Sequence, residues 1–182
     1  CGEEGLTYRA LNDQAGRLAR GLMDLGLERG DRAVVFLENS LEAVIAIYAV
    51  LKAGGVFVPV DALSTPAGLG HILQDSGARL VITHVEKAPI VSAADFDRKR
   101  FASVWFGPQE LIPPQSGRTV PWSAYERSEP PQGPLPRIID IDLAALIYTS
   151  GSTGRPKGIM CTHHNMVSAA RSIIQYIGNT AD

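Results

Sequence analysis

Residues 31–60 read DRAVVFLENSLEAVIAIYAVLKAGGVFVPV, and the parsing of this stretch decides the fold. The first apolar run, about 32–37, is short and continuous, as in a strand buried on both faces. Asn39 with Glu42 three residues on has the form of a capping box, opening a helix through LEAVIAIYAVLKA that stops at Gly54–Gly55. VFVPV, 56–60, is a second strand of the same kind. The apolar region from Ala43 to Val60 is broken by Lys52, the glycine pair and Pro59. A membrane span needs roughly 20 uninterrupted apolar residues, so a buried helix and a buried strand are expected instead.

The same alternation extends outward. Upstream, Leu11, Ala15, Leu18, Leu22 and Leu25 mark one face of a helix over 8–25, with Thr7 as N-cap and Gly26 as stop. Downstream, Thr65–Pro66 is a cap followed by proline at the first helical position, and that helix runs to about Ser76. RLVIT, 79–83, is a further strand, followed by a weak helix at 86–94 and a strand at 103–107. Short connections between continuous apolar strands predict an α/β fold: a parallel or mixed sheet with helices on both faces. Between Pro108 and Pro136 the prolines predict a long surface connection without regular structure, pinned to the core by Trp122 and Tyr125. A strand at 143–149, a glycine-rich loop, a strand at 157–162 and a helix capped by Thr162 follow. Met166, Ala170, Ile173, Ile174 and Ile177 mark that helix's apolar face. Three regions are expected: 1–107 as an α/β subdomain, 108–136 as the connection, and 137–182 as a strand–loop–strand–helix segment of the same large domain.

Composition narrows the function. The 182 residues carry 45% hydrophobic and 20% charged side chains and a net charge of −2, which gives no electrostatic reason to expect nucleic acid or an anionic membrane as partner. The two cysteines, Cys1 and Cys161, form no disulfide framework or metal spacing, so a reducing cytoplasm is expected. The opening, CGEEGLTYRALND, has neither the basic nor the apolar part of a signal peptide. It also lacks a starting methionine, so the chain is expected to be part of something longer.

The chemistry concentrates in YTSGSTGRPKGIM, Tyr148–Met160. Gly151, Gly154 and Gly158 let backbone N–H groups approach a ligand. Thr149, Ser150, Ser152 and Thr153 add hydroxyls, and Lys157 adds a compact positive charge. No carboxylate lies between Tyr148 and Thr162. The composition suits a loop that wraps nucleotide phosphates; a plain glycine–serine turn between two strands is the alternative. A Walker A loop fails, because Pro156 stands where that pattern has glycine and a strand follows Lys157. No convincing acidic strand end of Walker B type is present, since Asp140 and Asp142 precede their strand. His163 and His164 lie at a helix start, where capping or packing outweighs a metal or catalytic role.

Tyr148 to Ile159 matches all twelve positions of [YF]-T-S-G-[ST]-T-G-x-P-K-G-[VI], and so resembles the phosphate loop of the adenylate-forming enzymes. LTYRAL, 6–11, resembles the family's opening L-T-Y-x-E-L, with Ala10 where glutamate is usual. LKAGGVFVPVD, 51–61, resembles its L-K-A-G-x-x-Y-V-P-[IVL]-D, with Phe57 for tyrosine. HILQDSGARLVIT, 71–83, is similar to the segment that usually follows, so the resemblance covers nearly the whole chain. It implies the N-terminal part of the large domain of a two-step ligase. A carboxylate oxygen attacks the α-phosphate of Mg-ATP and pyrophosphate leaves; a thiol then attacks the acyl carbon of the adenylate and displaces AMP. Thr149, Ser150, Gly151, Ser152, Thr153, Gly154 and Lys157 would hold the leaving pyrophosphate. Mg²⁺ would bridge phosphate oxygens. The thiol would be coenzyme A or the phosphopantetheine of an acyl carrier protein, and the acid a small molecule. The stretch from Gly26 to Thr83 and the final CTHHNMVSAARSIIQYIGNTAD lean towards the acyl-CoA synthetase branch. The amino-acid adenylation domains of nonribosomal peptide synthetases share most of the same features. The family's adenine, ribose and acyl contacts, its magnesium-binding glutamate and its mobile lysine fall outside these residues. No catalytic residue or protein metal ligand is therefore assignable, and the segment alone is expected to be inactive. A non-catalytic α/β module that keeps the loop as a turn is the remaining alternative.

Overall fold

The computed structural model describes residues 5–114, 117–127, 133–149 and 156–178. The elements, in order, are α1 (Tyr8–Asp24), β1 (Arg32–Phe36), α2 (Leu41–Lys52), β2 (Val56–Pro59), α3 (Pro66–Asp75) and β3 (Leu80–His84). These are followed by α4 (Ala88–Ala93), β4 (Ala102–Phe106), β5 (Arg118–Pro121), α5 (Ser123–Glu126), β6 (Leu143–Thr149), β7 (Lys157–Thr162) and α6 (His163–Ile177).

The strands form one sheet in the order β5-β4-β3-β1-β2-β6-β7. Every neighbouring pair is parallel except β6 and β7, which are antiparallel. Of the parallel and mixed sheets expected, the mixed one forms, through this single antiparallel pair. Successive side chains of a strand point to opposite faces, and the core divides accordingly. Ala33, Val35, Ile82, Val104 and Ala145 face α1 and α2 in one buried cluster. Val34, Phe36, Val81 and Trp105 face α3 and α4 in the other. Strands buried on both sides explain the unbroken apolar runs in the sequence. The helices obey one rule of hand. From β1 to β2 the chain moves one way across the sheet and α2 lies on the first face; from β2 to β3 and β4 it moves back, and α3 and α4 lie on the second.

The expected face of α1 is the buried one: Ala15, Leu18 and Leu22 are fully enclosed, and Leu11 and Leu25 pack at the margin. Thr7 and Thr65 cap α1 and α3 by accepting from Ala10 N and Gly68 N. At α2 the structure corrects the capping box. Ser40 is the N-cap and its Oγ accepts from Ala43 N, so Glu42 falls at the second helical position, one residue short of the place a box requires. The weak helix at 86–94 becomes a 3₁₀ turn, Val85–Lys87, followed by α4.

The largest correction concerns 108–136, where no regular structure was expected. β5 and α5 both lie there, and β5 pairs in parallel with β4 from Ala102↔Arg118 to Trp105↔Pro121. Among the described residues β5 is the sheet's edge, where a proline costs no ladder bond. Trp122 does pin the segment: it is 9% exposed, and its ring lies 5.2 Å from that of Phe106. Tyr125 packs on α1 at Gly21, where an added Cβ would sit 2.4 Å from its ring.

The helix expected after the loop forms as α6, with a complete capping box between Thr162 and Asn165 and Gly178 in the left-handed region at φ 63°. Its apolar face is uncovered. Met166, Ile173, Ile174 and Ile177 are exposed, as are Ile159 and Met160 of β7.

Candidate phosphate-binding hairpin

β6 leaves the sheet at its carboxyl edge, and β7 returns beside it. The register pairs Leu146↔Met160, Ile147↔Ile159, Tyr148↔Gly158 and Thr149↔Lys157. The motif is therefore carried on an antiparallel hairpin whose two stems end in a pair of predicted site residues. Thr149 and Lys157 are both exposed and sit directly opposite one another. Ser150, Gly151, Ser152, Thr153 and Gly154 lie outside the described residues. In open α/β sheets ligands collect at the carboxyl ends of the strands, and this hairpin emerges there.

A hydroxyl and an ammonium side by side form a donor pair for phosphate oxygens. No carboxylate occurs in either stem. Gly158 has a packing role that the sequence reading missed: a Cβ there would meet the Tyr148 ring at 3.2 Å. The ring lies over the glycine, and its hydroxyl donates to Asp75 Oδ2 at 2.6 Å. Burial, and then the Asp75 carboxylate, push the Tyr148 phenol well above its ordinary range, against a smaller opposing effect of Arg32. Tyr148 is thus a neutral donor at any physiological pH.

On the other stem, His71 Nε2 lies 3.3 Å from the Pro156 carbonyl. A carbonyl only accepts, so Nε2 carries the proton. Neither Asp75 nor His71 was singled out in the sequence. Their spacing of four residues on a helix puts them on one face, but nothing in the sequence reveals what that face meets.

Further along the carboxyl edge, a cleft of ≈ 540 Å³ opens between the ends of β1 and β2, lined by Glu38, Asn39 and Asp61. Lys87 contacts two of the lining residues, Glu38 and Ala62. Its ammonium pairs with Glu38, donates to the Ala62 carbonyl at 2.9 Å and stands 5.6 Å from the centre of the Phe36 ring. At the base of α6, the N–H groups of His163 and His164 donate to the carbonyls of Asp142 and Asp140. The second histidine's Nε2 lies 3.5 Å from Ser168 Oγ. Among the described residues, no three His, Cys, Asp or Glu side chains gather as a metal site, and no helix is long and apolar enough to cross a membrane.

The motif, the hairpin and the sheet order define an adenylate-forming ligase fold. The family model for AMP-binding enzymes matches residues 1–182, and the chain belongs to that family. Surfactin synthase subunit 1 of Bacillus subtilis (strain 168) is 38% identical over 162 residues, 89% of this chain but 4% of that protein. The N-terminal domain of FACL13 from Mycobacterium tuberculosis, solved with an inhibitor, superposes with a TM-score of 0.77 at 32% identity, over 93% of this chain and 40% of that one. The anthranilate CoA ligase AuaEII, solved with anthranoyl-AMP, gives a TM-score of 0.79 at 25% identity, over 93% of this chain and 32% of that one. The chain spans between 2% and 13% of the length of such curated relatives.

Proposed function

We propose that the chain is the N-terminal part of the large domain of an ATP-dependent, AMP-forming acid–thiol ligase, working in a reducing cytoplasm. The observation that carries this reading is the Thr149–Lys157 pair at the mouth of the hairpin. The loop between them, with Ser150, Gly151, Ser152, Thr153 and Gly154, would cradle the β and γ phosphates. A carboxylate oxygen of the substrate attacks the α-phosphorus, and the bond to the bridging oxygen breaks. Lys157 and the loop N–H groups take up the charge that develops on the departing pyrophosphate, which is electrostatic stabilisation without a covalent role for the protein. Mg²⁺ neutralises phosphate charge when bound. The stems offer it a threonine hydroxyl and no carboxylate, a donor set that fits a metal arriving on the nucleotide.

A thiol then takes the acyl group from AMP. The likeness to a surfactin synthase fits the amino-acid adenylation reading, in which the thiol is a carrier-bound phosphopantetheine; the likeness to AuaEII, an anthranilate CoA ligase, fits coenzyme A. The second reading, the acyl-CoA synthetase branch, keeps its support in the sequence from Gly26 to Thr83. Residues 108–136 act as a connection within the domain rather than as a boundary. The uncovered faces of α6 and β7 support a role as one part of a larger catalytic unit, and the segment alone is expected to be inactive.

The test is carboxylate-dependent ATP–pyrophosphate exchange by the full-length protein, with fatty, aromatic and amino acids. Exchange with one class establishes adenylation and names the class of acid. Lys157→Ala should lower the rate by about 10²–10³-fold, as loss of one preorganised charge-stabilising donor does. Mg-ATP binding without exchange for any acid class would count against the ligase reading.

A further inference from the structure

The hairpin that carries the motif is registered to the sheet near its root. β6 registers with β2 only at Phe57↔Ala145, and β7 is the last strand of the order among the described residues. The outer ends of the hairpin's stems, at Thr149 and Lys157, lie beyond that pairing. The geometry points to α3 as a clamp on both stems, with Asp75 and His71 as positioning residues for the nucleotide's phosphates. This inference rests on the phosphate-binding reading and goes beyond it, because neither residue belongs to the motif.

Asp75 takes the Tyr148 hydroxyl at 2.6 Å, one residue before Thr149. His71 Nε2 donates to the Pro156 carbonyl at 3.3 Å, one residue before Lys157. The two imidazole and phenol rings also meet edge to face, at 6.5 Å and 83°. Each stem is therefore fixed at the residue next to the donor it presents. The platform itself is rigid. Leu69 and Leu73 of α3 are fully buried and Ile72 nearly so. Gly70 is pressed so close that a Cβ would sit 2.8 Å from the Asp95 carbonyl oxygen, and Gln74 Nε2 donates to that same oxygen at 2.7 Å. Two hydrogen bonds from a fixed helix restrict where Thr149 and Lys157 can stand before the nucleotide arrives. Restriction made in advance lowers the ordering cost of binding.

The experiment measures equilibrium binding of Mg-ATP and of Mg-pyrophosphate to the full-length protein, with urea midpoints and the exchange assay run alongside. Asp75→Ala, Tyr148→Phe and His71→Ala should each weaken both ligands by about three- to tenfold, the range set by one hydrogen bond. Urea midpoints should fall by no more than the loss of one hydrogen bond accounts for, so that every variant stays folded in the assay, and the KM for the acid should not move. Asp75→Asn keeps an acceptor for Tyr148, and His71→Gln keeps a side-chain N–H for the Pro156 carbonyl; both should bind within about twofold of wild type. Wild-type affinity in the folded alanine variants would overturn the clamp, and so would Asn and Gln variants as weak as the alanines. Wild type that binds Mg-ATP but exchanges with no acid would remove the ligase reading while the variants' affinities still judge the clamp. Wild type that binds no Mg-ATP would overturn both.

Discussion

Arg29 grips Asp142 through Nε at 3.1 Å and Nη2 at 2.7 Å, joining the turn before β1 to the start of β6. The Ile139 N–H donates to the same carboxylate at 3.0 Å. Asp142 therefore sits at the root of the hairpin's first strand, and its backbone carbonyl also receives the His163 N–H. Hydrogen bonding from Arg29, then from the Ile139 N–H, holds its carboxyl below the ordinary value of 3.8. A depressed carboxyl stabilises the fold above its unfolded pKa, and that contribution disappears as pH falls through the folded one. Urea midpoints should drop below about pH 4 more steeply in wild type than in Asp142→Asn. Parallel curves for the two proteins would show that the carboxylate adds nothing to acid stability.

Tyr148 gives the opposite dependence. Its phenol is raised in the folded protein, by burial first and Asp75 second. A raised group stabilises fully below its unfolded pKa, about 10 for tyrosine, and the contribution is lost as pH climbs through the folded value. Between pH 9 and 11.5, roughly the span around that unfolded value, wild type should lose more stability than Tyr148→Phe. Tyr125 is also raised by burial, so only the difference between the two proteins is diagnostic. Equal losses would place the Tyr148 hydroxyl outside the fold's energetics.

Gly21 lies in the middle of α1, where alanine would ordinarily gain about 1 kcal/mol of helix stability. The Tyr125 ring occupies the space that alanine's methyl would need, 2.4 Å away. Gly21→Ala should instead cost about 1–3 kcal/mol, the usual range for overpacking. In a Gly21→Ala/Tyr125→Ala double mutant the clash is gone, and the glycine change should become neutral or favourable. A penalty that survives in the double mutant would refute this account of the glycine.

Most of the sheet was legible because strands buried on both faces have no alternation to misread, and because Thr7, Thr65 and Gly26 end their helices where local chemistry predicts. The cap of α2 slipped by one residue because Asn39 and Ser40 are both good caps, and only the tertiary entry angle chooses between them. β5 was invisible for a different reason. Pro121 argues against a central strand, but the edge position that tolerates it is a property of the whole sheet. The site divides in the same way. Thr149 and Lys157 follow from loop chemistry alone. Asp75 and His71 do not, because only contacts made more than seventy residues along the chain bring them to the hairpin.

Lys87 separates two sources of stability at the carboxyl edge. Its ammonium meets the Glu38 carboxylate, the Ala62 carbonyl and the Phe36 ring. The Lys87 side chain is 11% exposed, whereas that of Glu38 is 58% exposed. An ion pair with so open a partner is screened and contributes little. The carbonyl bond and the buried stem remain when Glu38 is changed. Glu38→Gln should therefore cost under about 0.5 kcal/mol. Lys87→Met should cost about 1–2 kcal/mol, because the Ala62 carbonyl loses a charged donor while the apolar stem is kept. Thermal or urea unfolding of the two variants decides the matter. If Glu38→Gln costs as much as Lys87→Met, the stabilisation lies in the ion pair, and the tie between the ends of β1, β2 and β3 is electrostatic rather than made through the carbonyl.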